Sequence, residues 1–120
     1  MQAIDRAAAA APYGVPGRYT LVVRSVGHAK GLVYLDSQRD YRDQRNVSVV
    51  LYPNAQAQLR ARLGGPLAKT LEGHRIVVVG AARQVKILFM DNGHTTGKYY
   101  YQTHIPVTRG NQVTDLPIHG

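Results

Sequence analysis

Apolar and polar residues alternate from Arg18 to Val26, with Tyr19, Leu21 and Val23 on one side of the chain, a period of two that predicts a strand. Gly27 to Gly31 turns the chain, and Gly31 to Asp36 predicts a second strand with Val33 and Leu35 inward and Leu32 and Tyr34 outward. Asn46 to Tyr52 predicts a third, which buries Val47, Val49 and Leu51, exposes Ser48, Val50 and Tyr52, and stops at Pro53. Between the last two, Ser37 to Asn46 has no aliphatic residue and reads as a loop or splayed hairpin tip.

The period then changes. Asn54 is a candidate N-cap, and Ala55, Leu59, Arg62 and Leu63 follow at helical spacing until Gly64-Gly65-Pro66 ends the run. His74 to Val79 opens a β-branched fourth strand that bends at Gly80 and resumes through Arg83, Val85, Ile87 and Phe89. Asp91-Asn92-Gly93-His94 marks a turn, and Lys98 to Val107 is the last strand. Residues 1–17 are alanine-rich and then rich in Pro and Gly, and read as a flexible lead-in to a domain over 18–116 with a tail at 117–120.

Three strands, a helix and two further strands is also the element order of the OB-fold. The run Leu71-Glu72-Gly73-His74-Arg75-Ile76-Val77-Val78-Val79-Gly80 resembles the fourth-strand entry of OB-fold nucleic-acid-binding proteins of the anticodon-binding and helicase-associated, single-strand-binding type. The Pro-led helix after the third strand and Gly110 to Leu116 are similar to that group, so the likeness covers about Tyr19 to Leu116. The resemblance implies an all-β domain with one helix: a five-stranded Greek-key barrel, the helix between strands three and four. It also implies a ligand surface on strands two and three, flanked by the loops after strands one and four.

Composition narrows the ligand. In 120 residues, 15 Lys and Arg against 7 Asp and Glu give a formal charge of +8, which favours polyanionic partners. No apolar run approaches the roughly 20 residues that span a bilayer. Residues 1–12 are not an intact export signal, since they lack a basic start and a long apolar region. The reading is a soluble protein, cytoplasmic, or periplasmic if a signal has been removed. With no cysteine, stability rests on apolar packing.

The candidate stacking residues are Tyr34 on strand two, Tyr41 in the loop, and Tyr100 with His104 on the outward side of the last strand, beside Ser48 and Val50 on strand three. Tyr99 and Tyr101 share parity with Thr103 and Ile105 and read as the core-facing set. Arg39, Arg42 and Arg45 alternate with Asp36, Asp40 and Asp43, so they either meet phosphates or pair locally to order the loop. Arg24, Lys30, Arg83, Lys86 and Lys98 have no acidic neighbour within two positions and form a cleaner basic set, with Lys30 and Lys98 expected to flank the groove.

Catalysis finds little support. The histidines at 28, 74, 94, 104 and 119 show no His-x-x-x-His pair, and neither a Gly-x-Ser-x-Gly elbow nor a phosphate-binding Gly-Lys loop is present. Glu72 is the only glutamate, so the carboxylate set of the OB-barrel thermonucleases does not map here. The sequence therefore predicts a binding protein without metal or cofactor. Its expected ligand is single-stranded DNA or RNA, held with little sequence preference by tyrosine stacking and Arg/Lys phosphate contacts. The alternative is a module that binds a protein, an oligosaccharide or another anionic envelope component.

Overall fold

The computed structural model describes residues 2–10 and 14–115; Met1, the segment 11–13 and the end of the chain from Leu116, including the proposed tail, lie outside the described residues. The elements are α1 (Gln2–Ala10), β1 (Val15–Val22), β2 (Ser25–Ala29), β3 (Leu32–Asp36), β4 (Val47–Leu51), α2 (Pro53–Leu63), α3 (Leu67–Leu71), β5 (Arg75–Asp91), β6 (His94–Val107), a 3-10 turn at Gly110–Gln112, and β7 (Val113–Asp115).

The sheet corrects the predicted architecture. Its seven strands run in the order β1-β5-β6-β4-β3-β2, with β7 attached to β5, and β4 lies parallel to β6. This is an open mixed sheet in a mixed α/β fold with three α-helices among the described residues, not an all-β, five-stranded closed barrel with one helix. The reason lies at Val23 and Arg24, inside the stretch that reads as one strand. The Val23 N–H donates to the His74 carbonyl on the β5 side, whereas the next N–H, of Arg24, donates to the Asp36 carbonyl at the end of β3. The chain thus changes partner within one residue. β1 pairs with β5 and β2 with β3, and the two stand at opposite ends of the strand order with no ladder between them.

Within the predicted lead-in, residues 2–10 form α1 and Val15 opens β1. Alanine is the strongest helix former, and Ala3 and Ala7, one turn apart, are buried in the core as α1 lies against β5 and β1. α2 follows the third predicted strand, but Asn54 is not its cap. Tyr52 is the N-cap residue, with no side-chain bond, and Pro53 takes the first helical position, where its missing N–H costs nothing. The Asn54 amide instead donates to the Thr108 carbonyl at 3.2 Å. Gly64 ends the helix in the left-handed region (φ 76°).

The faces of the strands follow the sequence closely. Tyr19, Leu21, Val23, Val33, Leu35, Val47, Val49 and Leu51 are all buried, and Leu59, Leu71, Ile76 and Ile105 complete the centre of the core. β5 pairs with β1 up to Ala82 and with β6 from Arg83 onward. Beyond Ile87 the β5–β6 hairpin outruns the core, so residues 88–99 are all exposed. Its turn is set by Asn92 (φ 51°) and Gly93 (φ 80°), two successive left-handed residues that match the twist of a two-residue hairpin loop.

Candidate binding cleft

Register brings residues distant in sequence into one row on the face away from the core. Asp36 of β3 pairs with Ser48 of β4, Ser48 with His104 of β6, and His104 with Arg83 of β5. Paired residues point to the same side of a sheet, and the intervening Leu35, Val49 and Ile105 point into the core. One step along, Gly27, Tyr34, Val50 and Pro106 form a second row. Tyr100 and Gln102 continue the face along β6, and Ile87 lies opposite Tyr100.

A cleft of about 400 Å³ opens on this face, and Tyr34, Tyr41, Ser48, Tyr100 and His104 of the predicted set all line it. The Tyr34 and His104 rings meet edge to face, centroids 6.0 Å apart. Phe89 backs Tyr100 at 5.2 Å. Lining residues outside the predicted set include Asp36, two residues beyond Tyr34; Gln102, between Tyr100 and His104; Ile87; and Gly27, His28 and Ala29 of β2. The period-two signal that points to Tyr34 and Tyr100 extends to Asp36 and Gln102, whereas Ile87 and the β2 residues need the cross-strand register.

One buried amide shapes the loop that closes the cleft. Asn46, 1 % exposed, shares the two hydrogens of Nδ2 among Asp36 Oδ1 (3.1 Å), Ser48 Oγ (3.0 Å) and the Tyr41 carbonyl (3.3 Å). Its Oδ1 accepts from the Gln38 N–H at 3.1 Å. These bonds hold Tyr41 over the sheet. Within the loop, Arg42 pairs with Asp40 (3.3 Å) and Arg45 with Asp43 (2.9 Å), so two of the three guanidinium groups are engaged locally. The Arg45 side-chain bond holds the Asp43 carboxyl down at about 2.

A chain of polar groups crosses the floor. Gln102 Nε2 donates to the Tyr100 hydroxyl at 2.9 Å and to the Tyr41 carbonyl at 3.3 Å, while Oε1 lies 2.8 Å from His104 Nε2. Burial pushes the His104 imidazole below its ordinary pKa, and the Asp36 carboxylate partly opposes that shift. Ser48 directs its hydroxyl to Asp36 Oδ1.

Several predicted placements need correction. Ser48 and Val50 lie on the predicted face but are buried (2 % and 4 % exposed), Ser48 in its bonds with Asn46 and Asp36. Tyr99 and Tyr101 were expected in the core and are 51 % and 45 % exposed. Their parity is that of buried Thr103 and Ile105, but the core ends at Thr103 and nothing covers that side of the hairpin. Lys86 lies on this opposite face, its ammonium 4.2 Å from the Tyr99 ring centroid.

The basic set is divided. Arg24 and Arg39 border a different depression with Asp40 and Asp43. Lys98 is exposed on the hairpin. Arg83 continues the Asp36–Ser48–His104 row, and Lys30 follows Ala29, a cleft residue, in the β2–β3 turn. No Lys or Arg is among the residues lining the cleft. Among the described residues, no helix is long and apolar enough to cross a membrane. Compared with known proteins, the chain gives no match to a family model, a curated protein or a solved structure, so geometry carries the functional argument.

Proposed function

We propose that this cleft binds single-stranded DNA or RNA, with bases against its aromatic rings and the backbone along the cations at its edge. The observation that carries the reading is the convergence of Tyr34, Tyr41, Tyr100 and His104 on one cleft in a chain of charge +8. Aromatic faces stack on any base, which suits sequence-tolerant binding. Arg83 and Lys30 are placed by register or chain adjacency beside lining residues and supply the phosphate contacts in this reading.

Binding rather than turnover fits the polar groups present. Ser48, the hydroxyl nearest the row's histidine in register, gives its proton to a carboxylate and not to an imidazole base. One observation favours a second reading: the absence of Lys and Arg from the lining suits an uncharged oligosaccharide, which also takes aromatic faces, amides and carboxylates.

Titration with 15-nucleotide homopolymers, followed by amide shifts, separates the two. Saturable shifts at Tyr34, Tyr41, Tyr100 and His104 that weaken with salt support the nucleic-acid reading. Silence toward every strand at low salt, with shifts on adding neutral oligosaccharides, transfers the cleft to the second.

A further inference from the structure

Asp36 is the least expected member of the cleft. It is 4 % exposed, and both hydrogen bonds its carboxylate accepts, from Asn46 Nδ2 and from Ser48 Oγ, fall on Oδ1. Among the described residues, Oδ2 accepts none. No sealed side-chain polar atom lacks a partner among those residues, so Oδ2 is not sealed in protein, and the space Asp36 borders is the cleft. The protein therefore holds a carboxylate oxygen nearly out of bulk water, its twin fixed by two donors, on a residue that lines the cleft together with Tyr34, Tyr41 and Tyr100. Such an oxygen calls for a hydrogen-bond donor.

The other polar groups on the floor are already committed. Gln102 spends both amide hydrogens on Tyr100 and Tyr41 and its oxygen on His104. Asn46 is likewise used up on both ends. Of the carboxylate and amide oxygens on the cleft floor, Asp36 Oδ2 is the one that accepts no hydrogen bond among the described residues.

We propose that Asp36 Oδ2 selects the base that enters the cleft, favouring bases with an exocyclic amino group (cytosine, adenine, guanine) over thymine and uracil. This rests on the nucleic-acid reading of the same cleft. A cytosine or adenine edge offers an amino N–H to the carboxylate. Thymine and uracil offer only the imide N–H on that edge, and a carboxylate accepting from it is crowded on each side by a carbonyl oxygen, two acceptors that repel it. A hydrogen bond to a charged acceptor shielded from water is worth about a tenfold preference or more. The protein would then combine stacking that ignores sequence with one position that does not.

The experiment compares the intact chain on dC15, dA15 and dT15, read by tyrosine fluorescence and amide shifts at fixed low salt. The expected result is dC15 and dA15 bound about tenfold more tightly than dT15. Asp36→Asn keeps an oxygen for Asn46 and Ser48 and places an N–H where Oδ2 stood, so its preference should move toward dT15, whose carbonyls accept. Should that variant fail to fold, dC15 carrying N4,N4-dimethylcytosine on the unaltered protein gives the same answer, since it lacks the donor; its binding should fall to the level of dT15. Equal binding of all three strands, or full binding of the dimethyl strand, overturns the role of Asp36 while the nucleic-acid reading stands. Absence of binding to any strand removes that reading, and the selection with it.

Discussion

Gln102 Oε1 sits 2.8 Å from His104 Nε2, and this contact fixes where the imidazole proton resides. The Tyr41 carbonyl can only accept, so the amide nitrogen of Gln102 must be the end that faces it at 3.3 Å. The oxygen is then turned to the ring and can only accept, which requires a hydrogen on Nε2. Neutral His104 is thus the Nε2–H tautomer, with Nδ1 the basic atom. A loop carbonyl and a strand histidine are linked through one side chain.

The first prediction concerns pH. Burial lowers the His104 pKa from its ordinary 6.5, so the unfolded chain binds the proton more readily than the folded one. The stability gained from keeping the ring neutral is full above the unfolded value and is lost as pH falls through the folded one. His104→Gln should therefore flatten the decline in melting temperature between pH 7.5 and 5 relative to the parent chain. NMR titration should place the His104 midpoint below 6.5, and a midpoint at or above it contradicts the burial argument.

The second prediction separates the two faces of the long hairpin. Tyr34→Ala should weaken oligonucleotide binding by about 1–3 kcal/mol through lost stacking, and Tyr41→Ala by a similar amount. Tyr99→Ala should leave affinity within about 0.5 kcal/mol, because Tyr99 lies under Lys86 on the opposite side. Isothermal titration with one fixed strand is sufficient, and a loss at Tyr99 equal to that at Tyr34 would place the ligand on the wrong face here.

What the sequence revealed divides along the same physical line. Period-two alternation assigns faces, and Val33, Leu35, Val47, Val49 and Leu51 are buried as their parity requires. Alternation carries no information on partners, however, and the change at Val23 and Arg24 from β5 to β3 leaves no mark in the pattern. Nor does it say where a core ends, which is why Tyr99 and Tyr101 have the parity of Ile105 and yet are exposed. The tyrosines of the cleft were found from chemistry and parity together. In the sequence Asp36 reads as one charge in an alternating loop, and only the bonds from Asn46 and Ser48 show it as a buried acceptor.

The third prediction tests how the 3-10 turn docks on α2. A Cβ on Gly110 would lie 2.7 Å from Gln58 Cβ, an atom anchored directly to the helix backbone, and the Gly110 N–H donates to Gln58 Oε1 at 2.6 Å. Gly110→Ala should therefore cost about 1–3 kcal/mol by overpacking. Gly27→Ala, where nothing lies within 4 Å, provides the control and should change stability by less than about 1 kcal/mol. Equal denaturation midpoints for the two variants would show that the turn can shift away from the helix without loss.

The last prediction uses salt to ask which arginines meet phosphate. Arg83 shares a row with His104 and makes no ion pair among the described residues, whereas Arg45 is bonded to Asp43 through both Nε and a terminal nitrogen. Each phosphate neutralised on a single strand contributes roughly 0.7 to the slope of log affinity against log salt. Arg83→Gln should lower the magnitude of that slope by about this amount and weaken all strands alike, because a backbone contact carries no sequence information. Arg45→Gln should leave the slope nearly unchanged, since its guanidinium already has a carboxylate that would have to be abandoned first. The contrast works only if the strand runs from the cleft across β6 to β5. A slope altered by Arg45→Gln and untouched by Arg83→Gln would send the backbone the other way, over the loop that Asn46 holds in place.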